Sequence, residues 1–183
     1  MTRKALTEHY WAVADASPAP VIIYNMPANS GLDMDADTIA EISTHEHVIG
    51  LKDSGGNLVK MGTIIGRVRS DFQVLAGSAG FLLPGLSLGA RGGILALANI
   101  APGLCLDIFR HFTSGHLEAA RRAQLSAIPL NTAVTRQWGV PALKEAMDHL
   151  GLYGGPPRKP LLPVSPDVRS ELHQLISKVD IHL

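Results

Sequence analysis

The chain has 183 residues, and its 16 Lys and Arg balance its 16 Asp and Glu, so it carries no formal net charge. That length suits one domain with a sizeable core, while the charge balance excludes a basic nucleic-acid block and an acidic disordered tail. One cysteine, Cys105, excludes an internal disulfide framework and suits a reducing compartment. Within its apolar stretch Cys105 reads as core packing rather than a nucleophile.

The first residues, "MTRKALTEHYWAVADAS", hold acidic side chains and no continuous apolar run, which makes them a poor secretory leader. Residues 3–15 carry Leu6, Tyr10, Val13 and Ala14 at helical spacing. "SPAP" ends that helix, because proline cannot continue it. "VIIYNMP" (21–27) is a short β-rich run. "ANSGLDMD" is a loop with helix-start signals, and 35–43 reads as a helix.

The pattern then repeats. "VIGLK" is a strand and 58–68 a helix; "FQVLAG" is a strand and 79–88 a helix; "GGILALA" is a strand and 104–112 a helix. None of the four strands alternates cleanly between apolar and polar, which predicts strands buried on both faces in a parallel sheet. The stretch 81–106 is long and holds one charge, Arg91, but Pro84, Pro102 and several glycines break it too often for a membrane span. Beyond Phe112 the strands stop. "GHLEAARRAQLSAI", "VPALKEAMDHLG" and "SPDVRSELHQLISKV" read as three further helices, with a proline-rich connector before the last. Four βα units fit either an open α/β sheet or the back part of a (β/α)₈ barrel, and pattern leaves both open.

In parallel α/β folds, ligands gather at the carboxyl ends of strands. Those ends here are Tyr24-Asn25, Lys52-Asp53-Ser54, Gly77-Ser78 and Ala98-Asn99. Side chains alternate along a strand, so Gly50, Lys52 and Ser54 share one face, as do Ile22 and Tyr24. Neighbouring strands lie about 4.8 Å apart, close enough for a tyrosine and a lysine at adjacent ends to meet. A neutral lysine amine can attack a ketone and form a Schiff base, and a nearby tyrosine can shuttle protons. The alternative is a lysine whose stem packs in the strand while its head reaches water. Spacing alone leaves both open.

"YNMPANSG" followed by "IGLKDS", with Lys52 falling 28 positions after Tyr24, closely resembles the dihydrodipicolinate synthase/N-acetylneuraminate lyase family. "FQVLAGSAGFL", "GGILALANIAP" and "AVTRQWGVPALKEAMDHLGLYGGPPRKPL" resemble its later part. The resemblance implies class I aldolases and lyases on a (β/α)₈ barrel with a C-terminal helical extension. It is strongest toward the 4-hydroxy-2-oxoglutarate aldolase branch, through "PANSG", "KDSGG" and "LAGSAGF". It implies Lys52 as the imine-forming lysine and Tyr24 as the proton shuttle. It also implies Ser54 and Gly77 as substrate contacts, and Ile94 as a residue whose backbone lies beside the pyruvoyl group. No metal and no cofactor beyond the covalent imine at Lys52 is implied. The implied partners are pyruvate and 4-hydroxy-2-oxoglutarate, with a homo-oligomer and neither nucleic acid nor membrane. The implied setting is soluble and intracellular, cytoplasmic or mitochondrial. Dihydrodipicolinate synthases usually carry arginine where Asn29 stands, which lowers the synthase reading.

The family has three and a half βα units ahead of the strand that holds Tyr24, including a loop that binds the substrate carboxylate. This chain opens in what resembles the fourth crossover helix. The expectation is therefore the C-terminal half of a barrel over 1–113, a helical extension over 114–183, and weak catalysis by the chain on its own. The alternatives are a dihydrodipicolinate synthase, a 2-keto-3-deoxy sugar acid aldolase, or a non-catalytic half-barrel. "KDSGGN" as a phosphate loop and Lys52 as a pyridoxal-phosphate lysine are weaker, because the accompanying motifs are absent. His45 and His47, flanking Glu46, read as solvated surface.

Overall fold

The computed structural model describes residues 1–181. Four parallel strands, β1 (Val21–Asn25), β2 (Val48–Asp53), β3 (Gln73–Ala76) and β4 (Gly92–Gly93), pair in chain order. They lie in a compact unit made of Met1–Gly77 and Pro84–Ile94. Its helices are α1 (Arg3–Ala16), α2 (Pro27–Ser30), α3 (Ala36–Ile42), α4 (Leu58–Ile65) and, from Pro84 on, α5 (Leu82–Leu88). Side-chain caps start three of them. Thr2 Oγ1 accepts from the Ala5 amide, Asp35 Oδ1 from Thr38 and Asn57 Oδ1 from Lys60. Such caps satisfy amides that have no partner inside a helix. The short α2 falls in the segment expected to be loop, and it ends at Gly31, whose φ of 67° is left-handed.

The expected burial of both sheet faces is only half met. Ile23, Asn25, Leu51, Asp53, Val74 and Ala76 turn to a buried face. A Cβ built on Gly85 would lie 3.4 Å from Met61 Sδ and 3.7 Å from the Ala76 Cβ, so α4 and α5 close against that face. The other face holds Ile22 and Tyr24, both exposed, and β1 does alternate. No helix among the described residues covers these two side chains, so the parallel sheet alone did not guarantee burial of both sides.

The strand expected over "GGILALA" is shorter than its apolar run. Only Gly92–Gly93 pair with β3, and Ile94 adds one further bond from its amide to the Ala76 carbonyl, 3.0 Å. Beyond Ala76 the partner strand has ended, and the Gly77 amide has turned to the Asp53 carbonyl. Residues 96–99 therefore close their own hydrogen bonds in a 3₁₀ turn.

The second unit comprises Ser78–Leu83 and the chain from Leu95 onward. It is built from α6 (Pro102–Thr113), α7 (Leu117–Thr132), α8 (Gly139–His149) and α9 (Pro166–Ile176). A π-helical turn over Ala133–Gln137, absent from the expected elements, links α7 to α8. Gln124 of α7 is buried and satisfied. Its Oε1 accepts from the Leu83 amide at 2.8 Å, and its Nε2 donates to the Ala79 carbonyl at 2.7 Å. Cys105 is buried in α6, and burial pushes its thiol up to about 11, which suits packing rather than nucleophilic chemistry. Among the described residues no helix is long and apolar enough to cross a membrane.

Candidate active site

The ends of β1 and β2 build the site. Their register pairs Tyr24 with Lys52 and Asn25 with Asp53. Alternation then sends the first pair to the open face and the second to the core. Lys52 Nζ stands over the Tyr24 ring, 4.1 Å from its centroid. Tyr24 is 52% exposed and Lys52 partly buried, so the amine is held against an aromatic face yet reachable from solvent.

Ser54 follows on the same face as Lys52. Its amide donates to the Asn25 carbonyl at 2.9 Å, which extends the β1–β2 pairing by one residue. Its Oγ is buried and has no hydrogen-bond partner among the described residues. An unpartnered buried hydroxyl calls for explanation, and a bound oxygen ligand would supply one. Gly77 sits beside it. A Cβ at Gly77 would collide with Ser54 Oγ and lie 2.8 Å from the Asp53 carbonyl oxygen, so only glycine lets the β2 and β3 ends come this close. Ile94 lies one residue past the β3–β4 ladder, across from Gly77, with its side chain 49% exposed. Lys52, Tyr24, Ser54 and Gly77 thus converge on one rim of the sheet, with Ile94 at its far end. Asn29 lies exposed on α2 and offers an uncharged amide.

One cluster escaped the sequence reading. Behind the rim, Asn25 Nδ2 donates to Asp53 Oδ1 at 2.7 Å and to Asp33 Oδ1 at 2.8 Å. Lys60 Nζ pairs with Asp33 and lies 3.6 Å from Asp53 Oδ1. Burial alone would raise the Asp33 carboxyl, but hydrogen bonds from Lys60 and Asn25, with the Lys60 charge, hold it below the usual range. The alternation that placed Tyr24 beside Lys52 could have exposed the Asn25–Asp53 pair, had it been followed to the other face. Among the described residues, no three His, Cys, Asp or Glu side chains gather as a metal-holding group.

The sequence profile of the Dihydrodipicolinate synthetase family matches residues 1–179. The chain belongs to the dihydrodipicolinate synthetase family. Within it, the chain is 35% identical over 179 residues to a 4-hydroxy-tetrahydrodipicolinate synthase of Methanospirillum hungatei, covering 97% of this chain and 61% of that relative. It is also 35% identical over 175 residues to "Probable 4-hydroxy-2-oxoglutarate aldolase, mitochondrial" of Emericella nidulans, covering 95% of this chain and 56% of that relative. Among solved structures it superposes on a dihydrodipicolinate synthase from Bacillus anthracis with a TM-score of 0.94 and 26% identity, over 98% of this chain and 62% of the other. The chain therefore spans about three fifths of the length of these family members.

Proposed function

We propose that this chain carries the imine-forming site of a pyruvate-dependent class I aldolase. The observation that carries the reading is the Lys52 amine held 4.1 Å from the centre of the Tyr24 ring at the carboxyl end of a parallel sheet. The Lys52 amine attacks the ketone carbon of a 2-oxo acid, a C–N bond forms and water leaves. The protonated imine draws electrons from the bond between its α and β carbons, so that carbon–carbon bond can break and leave an enamine. Tyr24 takes the proton from the substrate hydroxyl as that bond breaks and returns one to the enamine carbon. Hydrolysis then frees pyruvate and Lys52. In this reading Ser54 Oγ and the backbone at Gly77 and Ile94 contact the bound acid. The imine itself is the electron sink, so the reading calls for neither metal nor further cofactor.

The substrate we infer is 4-hydroxy-2-oxoglutarate, cleaved to pyruvate and glyoxylate. Asn29 supports this over the synthase reading, because it lacks the charge of the arginine that dihydrodipicolinate synthases usually carry there. The 35% identity to the M. hungatei synthase favours a second reading, condensation of pyruvate with a larger aldehyde. The architecture we infer is the second half of a (β/α)₈ barrel followed by helices, in a homo-oligomer of a reducing compartment, cytoplasmic or mitochondrial.

The test is incubation with pyruvate and borohydride, followed by peptide mapping. The reading expects a reduced pyruvyl adduct on Lys52. An adduct on Lys60 or Lys144 instead, or none, would overturn it. Glyoxylate release from 4-hydroxy-2-oxoglutarate separates the two substrates.

A further inference from the structure

We propose that Lys60 is a positioning residue: through Asp53, Asn25 and Asp33 it locks the ends of β1 and β2, and so holds Tyr24 and Lys52 in register on the opposite face. This rests on the imine reading above.

Asp53 has no exposed side-chain surface. Its Oδ1 accepts from Asn25 at 2.7 Å and from the Gly55 amide at 3.4 Å, while its Oδ2 has no hydrogen-bond partner among the described residues. A buried carboxylate left without a counter-charge is strongly destabilising. Lys60 supplies that charge from a side chain only 10% exposed. Its place in the chain is telling. Lys60 stands in the first turn of α4, at the positive end of the helix dipole, where a cation is disfavoured. Helix formation therefore gives no reason for a lysine here; the two carboxylates do.

Besides Lys60 on α4, the network spans three segments. Asn25 lies on β1, Asp53 on β2, and Asp33 in the loop after α2, where Asn25 Oδ1 also accepts from the Met34 amide at 3.2 Å. The Asn25–Asp53 pair is one residue on from the Tyr24–Lys52 pair in the same register. A shift of one pair carries the other with it, because both hang on the same two backbones. Misplacement of reacting groups by about 1 Å can cost roughly 100-fold in rate.

The experiment compares the wild-type chain with Lys60→Met and Lys60→Arg by two readouts. One is the rate of borohydride trapping of pyruvate at Lys52. The other is amide hydrogen exchange across the whole chain. In Lys60→Met, exchange should quicken in 22–26 and 50–54 while α1 is unchanged, and trapping should slow by about 100-fold. Lys60→Arg keeps the cation and should restore both. If Lys60→Met does not fold, Asp33→Asn decides instead; it should slow trapping by about tenfold with the same local pattern of exchange. Wild-type trapping rates in the folded variant, exchange that rises evenly along the chain, or an arginine variant as impaired as the methionine variant would each overturn the proposal. A wild-type chain that forms no Lys52 adduct would overturn the imine reading alone, since the exchange pattern still decides whether Lys60 locks the strand ends.

Discussion

Lys52 and Tyr24 are direct cross-strand partners, with the lysine Nζ 4.1 Å from the centroid of the tyrosine ring. The ring holds the amine and the hydroxyl lies at its edge, so the two functions of Tyr24 separate chemically. Tyr24→Phe keeps the ring and removes the proton carrier. Deuterium exchange into the pyruvate methyl group, which needs both the imine and a proton shuttle, should fall by about 10²–10⁴-fold. Stability should change little, since the side chain is already 52% exposed. Methyl exchange is read by NMR, and a near-normal rate in the variant would remove Tyr24 from the proton path.

The same half-reaction should survive a chelator. In the proposed chemistry the imine accepts the electrons, so treatment with EDTA should leave methyl exchange unchanged. A loss of exchange that a divalent ion restores would show that the electron sink is something else.

Gly77→Ala should damage both fold and site. The new methyl group would strike Ser54 Oγ and crowd the Asp53 carbonyl, to which the Gly77 amide donates at 2.8 Å. Overpacking of this kind costs about 1–3 kcal/mol. Urea unfolding should report that loss, and trapping at Lys52 should slow. A variant of unchanged stability would mean that the β2 and β3 ends do not approach as closely as this geometry has them.

Asp35 caps α3 by accepting from the Thr38 amide at 2.7 Å, and that hydrogen bonding lowers its carboxyl below the usual range. Asp35→Ala should cost about 1 kcal/mol at neutral pH. The sign with pH follows from the downward shift. The ionised carboxylate contributes fully above its unfolded value of about 4 and loses that contribution as pH falls through the lower folded value. Urea midpoints of the two proteins should therefore converge in acid, as pH falls through the lowered folded value. A gap that widens in acid would contradict the cap.

The open sheet face should drive association. Ile22 is 42% exposed and Ile94 49%, and β1 and β4 present the two edges of the sheet. Exposed apolar surface beside unpaired strand edges favours pairing with another chain. Light scattering coupled to size exclusion should find a dimer or larger species, and Ile22→Lys should lower its mass. A wild-type chain that elutes as a monomer at all concentrations would refute this.

Lys52 and Tyr24 were legible as a pair before any coordinates, because strand alternation and strand spacing are local rules and each residue ends an apolar run. The order of the elements was legible for the same reason: every βα unit carries its own punctuation in proline, glycine and capping residues. Ser54 and Gly77 were legible as strand-end residues as well, but a role for them as substrate contacts came only from the family resemblance. Tertiary structure alone decided the rest. The run "GGILALA" is β-rich throughout, yet it pairs for only two residues, because pairing depends on where β3 stops. The open face at Ile22 and Tyr24 depends on which helices lie over the sheet, and no residue on β1 encodes that. Nothing in the sequence singles out Lys60. It becomes the counter-charge of a buried aspartate only because the turn after β2 folds α4 back beside Asp53, and a long-range ion pair leaves no periodic trace in the chain.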